Sequence, residues 1–488
     1  MRWTDATVRE ALGHVEVRGT APAASFESIS TDTRTLEPGA LFVALAGERF
    51  DAHGFLDDAA GRGARGAVVA RLPDTAPPGL VYYRVDDTLA ALGRLARHRR
   101  RRLDARVCAI TGTNGKTTTK EMARAVLATR HRVHATEGNL NNLVGTPLTL
   151  LAAPDDAEAL VVEVGTNAPG EIARLGEIVE PDAAIVTGVG EGHLEGLGDF
   201  EGVLREKTSL FDALGAAATG FVADEPPELA ERAGARVADL RVAGWSDRAD
   251  PDLRAEAVSL DADGRVRFRW RGREVRLEFR GRPNARNALL ALGLAEAWGV
   301  DPDEGVEALA SVRPTALRTE VHRYGELTVV ADCYNANPAS TEAAIDLLVS
   351  LPRGGGRVAV VGTMKELGER SAALHRRLAE TLAGSDVDTV VATGEFASAF
   401  AGLADRLGDR LIASEDPLEA CERLRPRLRG DEVVLLKGSR GVSLERLLPV
   451  LERVGRGRGG GGPAQGSDGR GGRHRGDGAP DDAWATGE

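Results

Sequence analysis

The segment Thr111-Gly112-Thr113-Asn114-Gly115-Lys116-Thr117-Thr118 decides the fold of this 488-residue chain. A short apolar run, Arg106–Ile110, precedes it, and the pattern from Lys116 to about Ala128 predicts a helix, so the order is strand, loop, helix. The two glycines let backbone N–H groups approach a phosphate, and the positive end of the helix favours the same anion. The segment therefore predicts a phosphate-binding loop.

The lysine and the threonine that follow the second glycine indicate a nucleoside triphosphate as the ligand. Lys116 can neutralise charge on the β- and γ-phosphates, and the Thr117 hydroxyl can bind Mg²⁺. The standard signature GxxxxGK[ST] begins with a glycine where this chain has Ile110, so the match is to a shorter form, GxxGKT. An ordinary glycine-containing turn is the alternative, but Gly, Lys and Thr together between a strand and a helix favour ATP or GTP binding.

Strands and helices alternate on both sides of the loop and predict an α/β protein with parallel sheets. Residues 105–312 form the central region, and residues 313–454 predict a second doubly wound, Rossmann-like unit. The central strands are predicted at Leu160–Val164 and Ala184–Thr187, with an antiparallel hairpin at Arg265–Trp270 and Glu274–Phe279. The later strands are predicted at Thr328–Ala331, Arg357–Val361, Thr389–Thr393 and Glu432–Leu436.

Residues 1–84 predict a small mixed α/β domain in front of the loop. Its buried strands are predicted at Leu41–Leu45 and Gly66–Ala70, with a helix from Phe55 to Ala64 between them. Residues 85–104 predict a connecting helix, Asp87–Arg102, that ends in a basic run. We interpret this run as a solvated helix face rather than a nucleic-acid site, because it is short and lacks aromatic residues.

The last segment, residues 455–488, is rich in Gly, Arg, Asp and Pro and has too little apolar content to fold. It predicts a disordered tail. RNA binding through its Arg-Gly repeats is the alternative, and the acidic residues among the arginines disfavour it.

The composition disfavours several classes of partner and cellular environment. The hydrophobic content of 42% is enough for packed cores, and a net charge of −12 disfavours nucleic acid. Cys108, Cys333 and Cys421 are far apart and odd in number, so we expect neither a disulfide framework nor a metal site, and a reducing compartment. No apolar run approaches the roughly 20 residues that span a bilayer, and no signal peptide is evident. We expect a soluble cytoplasmic protein without membrane insertion.

The phosphate loop resembles that of the Mur ligases and of their relatives, the folylpolyglutamate synthases. Further segments resemble the Mur ligases in the family's order, over about residues 25–446. They are Ser30–Arg34, Asn139–Asn142 leading to Gly145–Thr149, Val162–Gly165, Asp332–Pro338, Met364–Gly368 with His375, and Lys437–Arg440. The segments Tyr334–Pro338 and Glu366–Gly368 are typical of the family member that adds a dipeptide.

The resemblance implies a three-domain Mur ligase architecture, with a central P-loop ATPase domain and a C-terminal Rossmann-like domain. It implies that ATP, with Mg²⁺ at two sites, phosphorylates the carboxylate of UDP-N-acetylmuramoyl-tripeptide to an acyl phosphate. The amine of D-alanyl-D-alanine then attacks and phosphate leaves, which gives the UDP-linked pentapeptide precursor of peptidoglycan. Catalysis of this kind consists mostly of positioning and charge neutralisation. We expect a monomer.

The resemblance also implies the catalytic and metal-binding residues. Glu163 and His193 would bind Mg²⁺ together with Thr117, and Lys116 would act on the phosphates. Lys207, in a helix predicted from Phe200 to Leu214, would be carbamylated by CO₂, and its new carboxylate would support Mg²⁺ binding. A salt-bridged Glu163, a structural His193 and a surface Lys207 are the alternatives. The family pattern has an acidic residue where this chain has Ser209.

The nucleotide residues implied by the resemblance come from three segments. The whole loop from Gly112 to Thr118 would hold the phosphates: Gly112, Thr113, Asn114, Gly115, Lys116, Thr117 and Thr118. Asn284 would pair with adenine, and Pro283 stands where the family has a histidine, which removes one side-chain contact. From the last region, Arg318 would reach the phosphates, Asp332 the ribose, and Asn335 would lie beside the nucleotide. A helix cap is the alternative for Asn284, and a turn for the others.

The remaining implied residues concern the other two substrates. Ser30, Thr31, Asp32, Thr33 and Arg34 would hold the uridine diphosphate, with an Asp/Thr-rich turn as the alternative. Asn141, Asn142 and Thr146 would line the channel for the sugar and peptide, although Asn142 or Thr146 could instead cap a helix. Asn337, Glu366 and His375 would contribute near the dipeptide and nucleotide, and His375 could equally be a helix-face residue.

Three other functions share parts of the pattern. The ligase that adds the third peptide residue shares the loop and the lysine segment, but its usual Asp-Asn-Pro-Arg motif is absent here. Folylpolyglutamate synthases lack a UDP-binding N-terminal domain of this kind. A non-catalytic ATP-binding subunit is the rival from another class, and the presence of Lys116, Glu163, His193 and Lys207 disfavours it.

Because nucleotide residues come from two regions, we expect hinge closure near residues 312–317.

Overall fold

The computed structural model describes residues 2–19, 25–47, 50–73, 75, 77 and 79–458. These residues fold into three α/β units, each built around its own main sheet. This confirms the predicted fold class. Within the described residues no helix is both long enough and apolar enough to cross a membrane.

The N-terminal unit is built on a five-stranded sheet in the order β2-β7-β6-β5-β4, with β4 to β7 parallel. Its strands are short, and the two predicted strands are confirmed within one or two residues. The predicted helix from Phe55 divides into a 3₁₀ turn, Ala52–Phe55, and a short α-helix. The elements are β1 Trp3–Thr4, α1 Asp5–Leu12, β2 Glu16–Arg18, β3 Ser25–Phe26, β4 Ile29–Ser30, β5 Leu41–Val43, α2 Leu56–Gly61, β6 Gly66–Val69, β7 Val81–Arg84 and α3 Thr88–Arg100.

Helix α3 joins this unit to the next one. Leu92 and Leu95 pack in the N-terminal core, and Ala96 packs in the core of the central unit. The basic residues at its C-terminal end form ion pairs with acidic residues of the same chain, which the sequence analysis did not predict. The pairs are Arg97 and Arg101 with Glu180, Arg100 with Asp182, and Arg102 with Glu10.

The central unit has a six-stranded parallel sheet in the order β13-β12-β11-β8-β10-β9. Strands β8, β10 and β11 are continuous apolar runs because helices cover both faces of the sheet. The elements up to the end of this sheet are β8 Arg106–Thr111, α4 Lys116–Leu127, β9 Val133–Ala135, α5 Gly145–Ala152, β10 Ala159–Glu163, α6 Glu171–Val179, β11 Ala183–Val186, α7 Leu194–Leu197, α8 Phe200–Thr208, β12 Thr219–Ala223, α9 Pro227–Gly234 and β13 Asp239–Ala243.

Strand β8 lies between β11 and β10, so the loop after it sits where the strand order changes direction. Ligands bind at this point in open α/β sheets. The helix predicted from Phe200 to Leu214 is α8 followed by a 3₁₀ turn, Ser209–Ala213.

The predicted hairpin is present and belongs to a three-stranded sheet in the order β14-β15-β16. Arg271 and Gly272 both have positive φ, as a two-residue hairpin turn of type I′ requires. Helix α10 packs against α4 and so brings its first turn beside the phosphate loop. The elements are β14 Glu256–Leu260, β15 Arg265–Trp270, β16 Arg273–Arg280, α10 Pro283–Ala297 and α11 Pro302–Ser311.

The C-terminal unit has a six-stranded sheet in the order β17-β18-β22-β19-β20-β21, parallel except for the edge strand β17. The four predicted strands are confirmed, two of them to the residue. The elements are β17 Glu320–Tyr324, β18 Leu327–Asp332, α12 Pro338–Ser350, β19 Arg357–Val361, α13 Ser371–Gly384, β20 Thr389–Thr393, α14 Glu395–Ala399, α15 Ala404–Leu407, β21 Leu411–Ser414, α16 Pro417–Leu424, β22 Val433–Lys437 and α17 Leu448–Arg458.

The start of the predicted tail was wrong by a helical turn. Residues 455–458 continue α17, because Leu451 is buried in the C-terminal core and Gly455 lies directly against the backbone of Tyr324. The rest of that prediction, residues 459–488, lies outside the described residues.

The three cysteines are free and buried. Burial raises the pKa of each thiol, to about 12 for Cys333 and to about 11 for Cys421.

Candidate active site

A cavity of about 820 Å³ lies where the central and C-terminal units meet. It is bordered by the carboxyl ends of the central strands β8, β10 and β11 and of the C-terminal strands β18 and β22. Every loop residue from Thr113 to Thr118 lines it, as do Arg318, Asp332 and Asn335 from the other side. The structure therefore brings together the two groups of predicted nucleotide residues that lie about 200 positions apart in the sequence.

The loop needs both of its glycines. Gly115 has φ of 87°, and a Cβ there would come within 2.5 Å of Asn287 Oδ1. A Cβ on Gly112 would come within 2.1 Å of Thr187 Oγ1. Lys116 turns back over the loop, and its Nζ donates to the Gly112 carbonyl at 2.8 Å. The loop thus forms a tight cradle.

A network of polar contacts connects the cradle to the end of strand β10. Thr117 Oγ1 donates to Glu163 Oε2 at 3.0 Å, and Asn141 Nδ2 donates to Glu163 Oε1 at 2.8 Å. Arg318 Nη2 reaches across from the C-terminal side and donates to Thr117 Oγ1 at 3.2 Å. Glu163 is 2% exposed, so these donors satisfy a carboxylate that would otherwise be costly to bury.

Thr117 and Glu163 suit one Mg²⁺ site as they stand, whereas a second site requires a chemical change of Lys207. Mg²⁺ prefers oxygen ligands, and Thr117 and Glu163 supply hydroxyl and carboxylate oxygens 3.0 Å apart. His193 and Lys207 offer only nitrogen, so the predicted second site fits Mg²⁺ only if Lys207 gains oxygen atoms. In the part of the chain that the structure describes, no group of three or more His, Cys, Asp and Glu side chains is arranged to hold a metal ion.

His193 pairs with a carboxylate from the C-terminal unit. Its Nδ1 lies 2.6 Å from Glu366 Oε2, and both residues have positive φ, which is unusual for non-glycine residues. Burial lowers the pKa of His193, while Glu366 opposes that shift. The close contact with His193 in turn lowers the pKa of Glu366. Glu366, which was predicted to lie near the dipeptide, therefore fixes the orientation of the histidine.

Lys207 is fully buried in α8, so the surface-lysine alternative is excluded. Its Nζ has no hydrogen-bond partner among the described residues. Burial, with a smaller contribution from the charge of Lys116, lowers the pKa of Lys207 to about 7. A large fraction of this amine is therefore neutral near neutral pH, and a neutral amine is the nucleophile that adds to CO₂.

The remaining predicted nucleotide residues lie at the C-terminal wall of the cavity. Arg318 stacks on Tyr334, with its guanidinium carbon 4.1 Å from the ring centroid. Asp332 accepts from the Thr319 N–H at 3.1 Å and pairs with Lys437 Nζ at 2.9 Å. Asn335 lines the cavity, but its Oδ1 accepts from the next backbone N–H at 2.9 Å, as in a turn.

Lys437 is a functional candidate that the sequence reasoning did not assign. It ends β22 beside the end of β18, lines the cavity, and also donates to the Asn335 carbonyl at 2.7 Å. Its place in the segment Lys437–Arg440, which resembles the Mur ligases, was the sequence signal that could have identified this lysine. Asn284 lines the cavity as predicted for an adenine contact, but it lies inside α10 rather than at its cap, and its amide donates to the Arg280 carbonyl at 2.8 Å.

Four predicted substrate residues make contacts with the backbone, the core or the phosphate loop in this structure, and their substrate roles stay predictions. Asn142 Oδ1 accepts from the N–H of Gly145, the first residue of α5, at 2.8 Å, and Thr146 is fully buried beneath Glu163. His375 is also fully buried, where its Nε2 accepts from the Met364 N–H at 3.0 Å. None of these three lines the cavity within the described residues.

Asn337 is the fourth. It caps α12 and exchanges two hydrogen bonds with Asn114, with Nδ2 to Oδ1 distances of 2.8 and 3.1 Å. This amide pair joins the phosphate loop to the C-terminal unit. Glu191 adds a further connection, because it forms ion pairs with both Arg370 and Arg377 of the C-terminal unit at 2.9 and 2.7 Å.

A separate cavity of about 310 Å³ lies in the N-terminal unit. Thr31, Asp32, Thr33 and Arg34 line it together with Phe50 and Phe55, whose rings stack with centroids 5.4 Å apart. Asp32 holds Arg34 through a salt bridge of 2.7 Å, and Ser30 bonds to the backbone of Asp32 instead of lining the cavity. Polar groups beside aromatic faces suit a nucleoside phosphate.

Comparisons with known proteins agree with this arrangement. Residues 110–295 match the Mur ligase middle domain, and residues 317–440 match the Mur ligase glutamate ligase domain. The UDP-N-acetylmuramoyl-tripeptide–D-alanyl-D-alanine ligase of Bacillus subtilis is 33% identical, with 89% of this chain and 96% of the relative covered. The ligase of the same name from Escherichia coli is 34% identical, with 88% and 95% covered.

Solved structures agree in fold over nearly the whole chain. A crystal structure of MurF from Acinetobacter baumannii superposes with a TM-score of 0.84 at 31% identity, covering 93% of this chain and 99% of that one. MurF ligase from Thermotoga maritima in complex with ADP gives a TM-score of 0.77 at 27% identity, covering 88% and 98%. With the phosphate cradle, the two-sided cavity and both family domains in place, the chain belongs to the Mur ligase family.

Proposed function

We propose that this chain is the ATP-dependent ligase that joins D-alanyl-D-alanine to UDP-N-acetylmuramoyl-tripeptide and so makes the UDP-linked pentapeptide precursor of peptidoglycan. The two relatives described above are named for this activity, and each aligns with about nine-tenths of this chain. The observation that carries the proposal is the contact chain from Arg318 through Thr117 to Glu163, which places a cation, a hydroxyl and a carboxylate from two units around one phosphate cradle.

The residues around the cradle have complementary tasks in this reaction. The loop N–H groups and Lys116 hold the phosphates, and Arg318 approaches the transferred phosphoryl group from the opposite side. Mg²⁺, held by Thr117 and Glu163, would supply positive charge against the phosphate oxygens. Closing the cavity excludes water, so the acyl phosphate reacts with the amine of D-alanyl-D-alanine rather than being hydrolysed.

Lys207 is proposed to carry a carbamate. The neutral amine attacks CO₂ and releases one proton to solvent, which leaves an N-carboxylate in place of the amine. This change would convert an unpartnered buried nitrogen into two oxygen ligands, which the second Mg²⁺ site needs. Its side chain would then act on the metal together with His193, which Glu366 orients.

The carbamate predicts a specific pattern of loss and rescue. Lys207→Ala should lower kcat by at least about 100-fold, as for loss of one preorganised electrostatic group. Short-chain carboxylic acids should restore part of that activity, because they can occupy the space that the side chain vacates. Lys207→Arg fills the same space without forming a carbamate, so it should stay inactive with or without acid. Full activity of Lys207→Ala without added acid would contradict the proposal.

The N-terminal cavity is proposed to hold the uridine diphosphate end of the substrate. Arg34 suits the diphosphate, and the stacked rings of Phe50 and Phe55 suit the uracil.

We propose domain limits of 1–84, 105–312 and 313–454, with residues 85–104 as the connecting helix. We also propose that the protein is a monomer, that it lies in the cytoplasm, where ATP and UDP precursors are made, and that it has no nucleic-acid partner.

Phosphate release tests the function directly. We expect release only when ATP, UDP-N-acetylmuramoyl-tripeptide and D-alanyl-D-alanine are all present, with the pentapeptide product detected by mass spectrometry. A Lys116→Met variant serves as the control for contaminating ATPases. Release that is indifferent to the dipeptide would overturn the assignment, and release with a UDP-dipeptide and a diamino acid would favour the third-residue ligase.

A further inference from the structure

The cavity continues past the phosphate loop along the first turn of α10. Asn287 touches Gly115, and the neighbouring Arg286 lines the same cavity. Phe279, Gly281 and Pro283 also line this end. A nucleotide whose phosphates lie on the loop must extend its base along one wall of this cavity, and Arg286 belongs to that wall.

Two carboxylates clamp the Arg286 guanidinium. Its Nε lies 2.5 Å from Asp224 Oδ1, and its Nη2 lies 2.8 Å from Glu225 Oε2. Asp224 is fully buried and accepts from the backbone N–H groups of Trp245 and Ser246 at 3.0 and 2.8 Å. Arg286 itself is only 12% exposed, so its guanidinium is held in one orientation.

Trp245 supports this guanidinium from behind. The guanidinium carbon lies 3.6 Å from the centroid of the Trp245 ring, a distance that only face-to-face stacking allows. Arg286 lines the cavity, whereas Trp245 is not among the cavity-lining residues. The planar cation therefore lies between the indole and the cavity, with its second face towards the cavity.

We propose that this second face is the platform on which the adenine of ATP stacks, with Trp245 as the residue that positions it. The inference rests on the proposed ATP-dependent function. Arginine planes are established stacking partners of nucleic-acid bases. A phosphate contact is the competing role for an arginine here, but Asp224 and Glu225 already balance its charge. The platform also compensates for Pro283, which removes a side-chain contact with the base.

Binding of ADP and of inorganic tripolyphosphate, each with Mg²⁺, separates the base from the phosphates. We expect Arg286→Ala and Arg286→Lys each to weaken ADP binding by about 10-fold, within the range for loss of one base stack, because lysine retains the charge but not the plane. Tripolyphosphate should bind the variants as it binds the wild type, which also shows that the loop is folded. Trp245→Leu should weaken ADP binding less, without affecting tripolyphosphate.

Arg241→Ala is the matched control, because Arg241 is an exposed arginine of β13 that pairs with Asp239 outside the cavity. It should leave both affinities unchanged. ADP binding by both Arg286 variants that equals the wild type would overturn the platform, as would an equal weakening of ADP and tripolyphosphate. A wild-type protein that binds no ADP would instead contradict the proposed function, so the two failures are distinguishable by isothermal titration calorimetry.

Discussion

At the scale of single residues, His375 shows how a polar side chain from a family motif can serve packing. Its Nε2 accepts from the Met364 N–H, its Nδ1 lies 2.9 Å from the Ser371 carbonyl, and the ring packs edge-on against Phe396. This pattern fits a neutral imidazole with the proton on Nδ1. Burial lowers the pKa of His375, although Ser371 and Glu395 oppose the shift.

The sign of this pKa shift predicts how stability depends on pH. Unfolded His375 binds a proton below its ordinary pKa of 6.5, whereas the folded residue resists protonation, so stability should fall as the pH drops through 6.5. One such group contributes up to about 1.4 kcal/mol per pH unit. His375→Gln should be less stable at pH 7.5 but should lose less stability between pH 7.5 and 5.5, as measured by urea unfolding.

The exposed His14 provides the control for that measurement. His14→Gln should reproduce the wild-type pH dependence. An identical decrease for the wild type and His375→Gln would show that His375 is not the group that titrates.

The sequence could predict the residues of the cradle because one short segment contains them. Lys437 and Arg286 were missed because their roles depend on which strand ends and helix turns become neighbours. Lys437 becomes important only through its register opposite Asp332, and Arg286 only through Asp224 and Trp245. Asn142 and Thr146 show the reverse case, in which a motif residue satisfies the backbone or the core.

At the scale of elements, apolar runs identified the buried parallel strands well. Strands β19 and β20 match their predictions to the residue, because their whole length is covered on both faces. The edge strands β9 and β17 were not predicted. Their residues are half-buried apart from the exposed Arg323, so these strands carry little hydrophobic signal. The extension of α17 was missed because Gly455 packs closely against Tyr324 instead of breaking the helix.

The start of α12 offers a test of how one element connects two units. Asn337 has two separable roles, the cap of the helix and the amide pair with Asn114. Asn337→Ala removes both and should lower the free energy of unfolding by about 1 kcal/mol. Asn337→Ser retains a capping hydroxyl, so it should keep near wild-type stability while raising the KM for ATP, since the loop loses two hydrogen bonds to the C-terminal unit.

Urea unfolding and steady-state kinetics on the two variants separate these roles. Asn114→Ser should match Asn337→Ser in KM, because it removes the same pair from the other side. A wild-type KM for both serine variants would mean that the pair does not contribute to ATP binding.

At the scale of the whole molecule, the linker between the last two units is also part of the site. Helix α11 ends at Ser311 and β17 begins at Glu320, so the predicted hinge at 312–317 falls in this connection. Arg318 lies in the same connection and reaches Thr117 of the phosphate loop. Leu317 and Thr319 on either side of it have positive φ. A nucleotide that engages Arg318 would therefore act directly on the predicted hinge.

Domain closure should consequently respond to ligands. We expect the radius of gyration from small-angle scattering to decrease when a non-hydrolysable ATP analogue and the UDP-linked substrate are added together. Glu191→Gln weakens the ion pairs with Arg370 and Arg377, so it should favour more open forms and a larger radius without ligands. Scattering curves that do not change with ligands would count against hinge closure.

The buried cysteines have a practical consequence for watching that motion. Thiolates rather than thiols react with maleimides, and the raised pKa values keep Cys333 and Cys421, like Cys108, in the thiol form at neutral pH. The native protein should therefore stay unlabelled while surface cysteines introduced on two units take up donor and acceptor dyes. Single-molecule energy transfer could then follow opening and closing during turnover with the natural cysteines left in place.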